Sequence, residues 1–180
     1  MKKRPAPQQS FLRSIFNYDH ETGVLFHRNR PEVMFKSSRQ FLNWNSRYPG
    51  TPVGSITKGG YLATRINGED YYVHVLIWAY VNGDDGCLSV DHINRNRCDN
   101  RISNLRLATN SQNLFNSGCS RNSLSREKGV HKRNDCDTWR AVIDVDGKRI
   151  NLGSFKSKEE AVEAYRKASI ELHGEYSVFN

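Results

Sequence analysis

The segment SVDHINRNRCDNRISNLRLATNSQN, residues 89–113, constrains the fold more than any other part of the chain. Apolar runs at 88–90 and 104–109 flank a loop, 93–103, that is rich in asparagine, arginine and aspartate. The two runs predict short strands, and the following NSQNLFN predicts a helix with Asn110 as its N-cap. A strand, a long loop, a second strand and a helix would form one compact unit between residues 88 and 116.

An aspartate and a histidine end the first of these strands, and the predicted topology brings them close to Asn113. The oxygens of Asp91 and Asn113 suit a hard divalent cation such as Mg²⁺, which often takes only one or two protein ligands. His92 points to the other strand face and can act as general base, with Asn104 accepting from its ring N–H. This chemistry favours phosphodiester hydrolysis, and a structural loop held by hydrogen bonds is the alternative.

The composition favours an anionic partner. The 180 residues include 27 Lys and Arg against 19 Asp and Glu, a formal net charge of +8. Nucleic acid is the usual partner of such a chain, although a basic surface can also serve solubility alone. No apolar run approaches the ~18 residues of a membrane span, and the MKKRPAPQQS start lacks an apolar signal core. We expect a cytoplasmic protein without a membrane partner.

The four cysteines, at positions 87, 98, 119 and 136, form no Cys-x-x-Cys pair. This spacing indicates neither a disulfide framework nor a zinc knuckle, so reduced thiols are expected. Cys87 and Cys98 flank His92, which leaves a zinc site as an alternative, but the spacing offers no ready set of four ligands. We therefore predict no zinc.

The residues before the central unit predict a helix and several hairpin elements. A short helix from Phe11, a turn over 19–23 and a strand over 24–27 come first, and a polar, turn-rich loop over 29–58 follows. Asn67-Gly68 between two alternating runs, 61–66 and 69–73, predicts a hairpin with a type I′ turn. VHVLIWAYV then predicts a buried helix that ends at Asn82-Gly83.

The C-terminal residues have a plan of their own. SGCSRNSLSREK, residues 117–128, has no periodicity and predicts a linker. GVHKR, TWRAVIDVDGK and KRINLGSF predict three strands, the last two joined at Asp146-Gly147. SKEEAVEAYRKASIELHG predicts a helix with Ser157 as N-cap, Glu160 completing a capping box and Gly174 as the stop.

Strand alternation divides the C-terminal sheet into two faces. The apolar stripe of the helix is Ala161, Ala164, Tyr165, Ala168 and Leu172. The strand residues with the parity to face it are Val130, Trp139, Ala141, Ile143, Ile150 and Leu152. The opposite parity carries His131, Arg133, Arg140, Arg149 and Asn151. Because five glutamates lie in or just after the helix segment, the charges separate as a DNA-facing sheet requires, and an ordinary solvated sheet is the alternative.

The central motifs resemble a known family. Asp91-His92, DNR at 99–101, NLR at 104–106 and QN at 112–113 are similar to phage HNH endonucleases whose last histidine is asparagine. The upstream segments at 16–28 and 59–83 resemble the N-terminal part of phage homing enzymes of this kind. The resemblance implies a ββα-metal fold, His92 as general base, Asn104 holding it, and one Mg²⁺ or Mn²⁺ on Asp91 and Asn113. Arg95, Arg97, Arg101 and Arg106 would then hold DNA phosphates.

The C-terminal motifs resemble the plant ethylene-response-factor (AP-two type) DNA-binding domain, which reads the DNA major groove with a three-stranded sheet. The resemblance carries over to His131, Arg133, Arg149 and Asn151, which lie on the face that alternation selects. We therefore expect an α+β chain, with N-terminal antiparallel sheets and a hairpin leading into the ββα-metal unit. A separate three-stranded antiparallel sheet packed on one helix follows. The expected parts are a flexible tail, 1–10; an HNH domain, 11–116, divided at 85/86; a linker, 117–128; and a DNA-binding domain, 129–180.

These patterns predict a metal-dependent endonuclease of the phage homing type that cuts double-stranded DNA. A DNA-binding regulator that keeps the scaffold without cutting is the alternative. Because one catalytic unit per chain cuts one strand, whereas a dimer could cut two, nicking and double-strand cleavage both stay open. A monomer is the expected form, in the host cytoplasm if the gene belongs to a phage.

Overall fold

The structure is a computed structural model that describes residues 5–83, 86, 88–120, 123–133 and 136–179. It divides into two compact units, Met1–Leu107 and Ala108–Asn180. Within the described residues the chain is a mixed α+β protein with five α-helices and small sheets of two or three strands. No helix in these ranges is both long and apolar enough to cross a membrane.

The first unit contains three helices and three small sheets. Strands β1 and β2 form one antiparallel hairpin, β3, β4 and β5 form the second sheet in that order, and β6 pairs with β7. The elements are α1 (Gln9–Ile15), β1 (Phe16–Asp19), β2 (Val24–His27), α2 (Ser38–Asn45), β3 (Ser55–Ile56), β4 (Leu62–Ile66), β5 (Glu69–Tyr72), α3 (Val73–Asn82), β6 (Ser89–His92) and β7 (Leu105–Ala108).

The predicted hairpin and the apolar helix are confirmed. Asn67 and Gly68 both have positive φ, 51° and 84°, as a type I′ turn requires, and they join β4 to β5. The helix α3 ends at Gly83, whose φ is also positive. The core of the unit forms where α3 packs on α1 and on strands β4 and β5. Its most deeply buried side chains include Leu12, Ile15, Phe16, Leu25, Leu76 and Ile77.

The N-terminal residues are more ordered than a flexible tail over 1–10. Ala6 packs against the core, and α1 already begins at Gln9. The side-chain amide of Gln9 donates to the carbonyls of Tyr80 and Val81, at 3.1 and 3.0 Å. These bonds satisfy carbonyls in the last turn of α3, which explains why the chain is fixed here. Residues 1–4 of the predicted tail lie outside the described residues.

The segment predicted as a polar loop, 29–58, contains the helix α2. The hydroxyl of Ser37 caps this helix by accepting from the backbone N–H of Gln40. Trp44 stacks on Tyr48 with ring centroids 5.2 Å apart, and the guanidinium of Arg30 lies 4.2 Å from the Trp44 ring. These aromatic contacts stabilise a helix that is too short to form on its own propensity.

The second unit contains the helix α4 and a three-stranded antiparallel sheet packed on the helix α5. The strand order is β10, β9, β8, with both pairs antiparallel, so the three predicted strands form one sheet. The helix α5 covers the residues that the sequence predicts to be helical. The N-cap of α5 is Ser157, as predicted. The elements are α4 (Asn110–Asn116), β8 (Val130–Lys132), β9 (Trp139–Val145), β10 (Lys148–Phe155) and α5 (Lys158–His173).

The core of the second unit follows the predicted parity at its centre and departs from it at the edges. Buried side chains there are Val130, Ala141, Ile143, Ala161 and Tyr165. Ile150 and Leu172, both expected in this core, are 40% exposed, and Val142 of the opposite parity is 7% exposed. The register shifts between Asn151 and Gly153, so strict alternation does not extend along β10.

Candidate active site

His92 is the last residue of β6, and it is only 4% exposed. Its Nε2 lies 2.9 Å from the Oδ1 atom of Asn100, a residue that is itself 1% exposed. Because a carbonyl oxygen only accepts, Nε2 carries the proton in this pair, and the lone pair of the imidazole belongs to Nδ1. The loop therefore selects the tautomer of His92.

The first hairpin braces the residue that holds His92. The Tyr18 hydroxyl donates to the backbone carbonyl of Asn100 at 3.0 Å and accepts from the N–H of Ile102 at 2.8 Å. Burial raises the pKa of Tyr18, so this hydroxyl keeps its proton. Gly23, at φ 73°, approaches so closely that a Cβ atom would lie 2.4 Å from the Arg101 nitrogen. The backbone on both sides of Asn100 is therefore fixed from outside the loop.

We expect Gly23→Ala to destabilise the protein by about 3 kcal/mol, because left-handed backbone strain and a clash with the 100–101 backbone add together. Gly68→Ala is the matched control, because φ is similar there and nothing lies within 4 Å of the added Cβ. It should cost about 1 kcal/mol. Urea unfolding of both variants measures the difference, and equal losses would contradict the close approach.

Asn104 does not hold His92, contrary to the prediction. Its Oδ1 accepts from the Asn94 backbone at 3.0 Å, and its Nδ2 donates to Asn94 Oδ1 at 3.0 Å and to the Asp99 carbonyl at 2.7 Å. Asn94 and Asn96 in turn accept from backbone N–H groups two residues ahead. Amide side chains thus replace strand pairing across the loop, which explains why the segment is so rich in asparagine.

Aromatic rings from the hairpin and α3 pack around His92. The centroid of the His74 ring lies 4.7 Å from that of His92, and Tyr61 lies 6.1 Å away. Burial lowers the pKa of His92, although its bond to Asn100 acts in the opposite direction. Burial also lowers the pKa of His74 to about 3, with His92 contributing a smaller repulsion. Both imidazoles are therefore neutral at neutral pH, as a general base must be.

The four arginines predicted to hold phosphates differ in their surroundings. Arg106 pairs with Asp91 at 3.2 Å, with 11% and 17% of the side chains exposed, and Arg101 pairs with Asp99 at 2.6 Å. This second pair lowers the pKa of Asp99 to about 2. The Arg97 guanidinium lies 4.6 Å from the Tyr61 ring and donates to the Gly59 carbonyl.

Arg95 has φ 63°, and its side chain is exposed. It forms no side-chain hydrogen bond or ion pair with any residue in the described ranges, unlike the other three. An unengaged guanidinium at the tip of the loop is the one whose charge is fully available to a phosphate.

Asn113 is placed on α4, whose N-cap is Thr109 and not the predicted Asn110. Thr109 accepts from the Gln112 backbone while the Gln112 side chain accepts from Thr109, a capping box. The Asn113 Oδ1 atom is buried and has no hydrogen-bond partner within the described ranges. A buried oxygen without a donor is costly, and it suits a cation ligand. Asp91 belongs to the first unit and Asn113 to the second.

Ligands for other metals are scarce. No group of three or more His, Cys, Asp or Glu side chains in the described part of the chain could hold a metal ion. Cys98, Cys119 and Cys136 are free thiols, and Cys87 lies outside the described residues. A cation held by one carboxylate and one amide oxygen would not form such a group, because asparagine is not among those ligand types. The residues present fit a hard cation that keeps waters and substrate oxygens as its other ligands.

The open face of the C-terminal sheet carries the predicted residues, all of them exposed: His131, Arg133, Arg140, Arg149 and Asn151. The face is less basic than predicted. Arg149 forms a two-bond pair with Asp144, its cross-strand neighbour, at 2.8 and 3.0 Å. Sequence alternation places Asp144 on this face too, and the exposed pair is one that DNA could displace at small cost.

Several protein comparisons bear on this site. The family described as HNH endonuclease matches residues 71–114. A protein of Acanthamoeba polyphaga mimivirus, named as an HNH endonuclease, is 36% identical over 91 residues, which are 51% of this chain and 46% of that protein. Protein 3.8 of Escherichia phage T7 is 30% identical over 107 residues, which are 59% of this chain and 88% of that protein.

A solved structure titled "DNA binding and cleavage by the HNH homing endonuclease I-HmuI" is also similar. It is 20% identical, with a TM-score of 0.41, over 87% of this chain and 80% of that chain. The chain spans about half the length of the mimivirus relative. From the family match and the viral relatives, the chain belongs to the HNH endonuclease family.

Proposed function

We propose that this protein is a divalent-metal-dependent DNA endonuclease of the phage homing type, which hydrolyses phosphodiester bonds in double-stranded DNA. The observation that carries the proposal is the His92 imidazole, whose Nε2 proton is committed to the buried Asn100 carbonyl group. With Nε2 as the donor, the lone pair of this ring belongs to Nδ1, and the ring is neutral at neutral pH.

His92 is proposed to take a proton from the attacking water. A general base needs a lone pair and a fixed orientation, and Asn100 supplies the orientation from one side of the ring. Tyr18 holds the Asn100 backbone, and Asn104 holds the loop between the two strands. In this proposal Asn104 contributes to catalysis through the loop and not through direct contact with the imidazole.

Asp91 and Asn113 are the residues that would hold one divalent cation, Mg²⁺ or Mn²⁺. The unpartnered Oδ1 of Asn113 supports this assignment. When bound, the cation would neutralise charge on the scissile phosphate and on the leaving 3′ oxygen. Arg106 bonds to the Asp91 Oδ2 atom and so orients the carboxylate.

The two parts of the chain would both bind DNA. Three of the four predicted arginines lie in the loop that follows His92, and the fourth lies on β7. Arg95, Arg97, Arg101 and Arg106 would hold phosphates or the charge of the transition state. The C-terminal sheet, 129–180, would bind the duplex as an AP-two-type module through His131, Arg133, Arg140, Arg149 and Asn151. Exposure of these five side chains on one sheet supports the proposal.

We expect Arg95→Gln to weaken DNA binding by similar factors for all sequences, and to reduce the slope of log K against log salt by about 1. The reason is that its guanidinium has no hydrogen-bond or ion-pair partner among the described residues to lose. Stability should not change. Arg166→Gln, on the exposed side of α5, removes the same charge and is the control. An unchanged salt slope in Arg95→Gln would show that this side chain contacts no phosphate.

The experiment that tests the function is incubation of the protein with supercoiled plasmid and with phage or host genomic DNA in Mg²⁺, Mn²⁺ or EDTA. Open circles would indicate nicking, and linear DNA a double-strand cut. The ends should carry 5′ phosphate and 3′ hydroxyl groups, which ligation and sequencing reveal. DNA binding without any cleavage at high enzyme concentration would instead support the regulator that keeps the scaffold without cutting.

A further inference from the structure

A lysine side chain from further along the chain caps the last turn of α4, the helix that carries Asn113. The Nζ atom of Lys128 donates to the carbonyls of Leu114 at 2.5 Å, Phe115 at 2.7 Å and Ser117 at 2.7 Å. An ammonium group has three hydrogens to donate, and besides these carbonyls the Ser117 hydroxyl lies 3.5 Å from Nζ. Lys128 therefore closes the C-terminal end of this helix as a charged cap.

The helix needs such support because it has only seven residues. Isolated helices below ~12 residues are marginal in water, so tertiary contacts must hold α4. At its start the capping box of Thr109 and Gln112 satisfies local N–H groups, but that box belongs to the helix itself. At the other end of the helix, Lys128 and His173 contact α4 from later parts of the chain.

A second contact joins α4 to the C-terminal sheet and helix. The Phe115 ring stacks on His173 of α5, with centroids 3.9 Å apart and planes at 6°. His173 is itself fixed, since Nδ1 lies 3.2 Å from the Ser169 hydroxyl and Nε2 lies 3.0 Å from the Asp144 carbonyl. The stack holds Phe115, which lies two residues after Asn113, against α5.

Lys128 is also held firmly from its own side. It precedes Gly129, which has φ 69° and packs so closely that a Cβ atom would lie 2.1 Å from the Tyr165 ring. Val130, fully buried, then begins β8. The backbone of Lys128 is therefore held next to the sheet. Its ammonium group, bonded to the end of α4, ties the helix to that position.

We propose that Lys128 is a positioning residue for Asn113, so that residues after α4 hold one of the two proposed metal ligands in place. The proposal rests on the proposed function, in which Asn113 is a metal ligand. Residue 128 falls in a segment that the sequence predicts to be a linker. Its contacts indicate a structural role there, and they explain why α4 belongs to the second compact unit, Ala108–Asn180.

Lys128→Met in the full chain tests this proposal. The metal concentration for half-maximal cleavage at saturating DNA should rise about tenfold, as for other losses of support around a metal ligand. The affinity for Mn²⁺, measured by electron paramagnetic resonance of the free ion, should fall by a similar factor. Hydrogen exchange in Asn110–Asn116 should become roughly fivefold faster. DNA affinity in EDTA should stay within about twofold of the wild-type value, because the ammonium group of Lys128 is bonded to carbonyls of α4 and not directed at a phosphate.

Two further variants separate positioning from general effects. Lys128→Arg keeps donors for the carbonyls and should restore most of the metal affinity. Lys167→Met removes an equal charge from the exposed side of α5, where 77% of the side chain is exposed, and should change none of these quantities. Unchanged exchange and metal affinity in Lys128→Met would overturn the proposal. A wild-type protein that neither cleaves DNA nor binds Mn²⁺ would overturn the proposed function instead.

Discussion

Replacing His92 by alanine is expected to lower the single-turnover rate of Mg²⁺-dependent DNA cleavage by about 10³-fold. DNA affinity should change by less than about twofold, because the imidazole is neutral at neutral pH and phosphate affinity comes mainly from Lys and Arg charges. The loss would fall on the chemical step, since the variant keeps the arginines, the proposed metal ligands and the loop but lacks the proposed base. Rates from quenched single-turnover reactions and affinities from binding in EDTA separate the two quantities.

The partner of His92 supplies a graded control for this prediction. Asn100→Leu removes the acceptor for the Nε2 proton and should lower the rate, because the imidazole loses both its tautomer and its orientation. Asn100→Asp keeps an acceptor in the same place and should retain more activity than the leucine variant. Added imidazole should partly restore His92→Ala by entering the space of the missing ring. Cleavage by His92→Ala at more than about a tenth of the wild-type rate would rule out general base catalysis by this residue.

Turn and capping preferences of single residues were sufficient to predict the elements that depend only on local backbone geometry. Asn67-Gly68 could be recognised as a hairpin turn because both residues tolerate positive φ, whatever surrounds them. The α5 helix was recognised by its cap at Ser157 and its periodic alanines. The helix α2 was missed because its stability comes from Trp44 and Arg30 packing across a turn, and no periodic pattern records such contacts.

Site residues could be predicted where they are adjacent in the sequence. They could not be predicted where the folded path of the loop determines which side chain contacts which. Asp91 and His92 stood out as a pair at the end of a strand. The partner of His92 is one of several asparagines in the loop, and only the folded path selects Asn100 over Asn104. Formal charge likewise marked Arg106 as a phosphate contact, whereas folding pairs it with Asp91. Contacts between residues distant in the sequence, such as Tyr18 with Asn100, leave no spacing pattern to detect.

Asn113→Ala is expected to lower metal-dependent cleavage by about 10²-fold while it stabilises the metal-free protein by roughly 1 kcal/mol. The two effects have opposite signs for one physical reason. The Asn113 Oδ1 atom is buried with no donor among the residues that the structure describes, which costs folding free energy, and a cation bound to this oxygen would offset that cost. Urea unfolding in EDTA measures the stability, and a metal titration of the cleavage rate measures the function.

Asn113→Asp distinguishes a metal ligand from an asparagine that is merely poorly bonded. The substitution keeps an oxygen donor but buries a charge, so in EDTA the protein should lose about 3 kcal/mol of stability or hold the carboxyl protonated. Adding Mg²⁺ or Mn²⁺ should return that stability, because a ligand that binds only the folded state stabilises it by mass action. The alanine variant should gain nothing from metal. If neither Mg²⁺ nor Mn²⁺ raised the stability of the aspartate variant above its value in EDTA, Asn113 would not be a metal ligand, whatever the loss of activity.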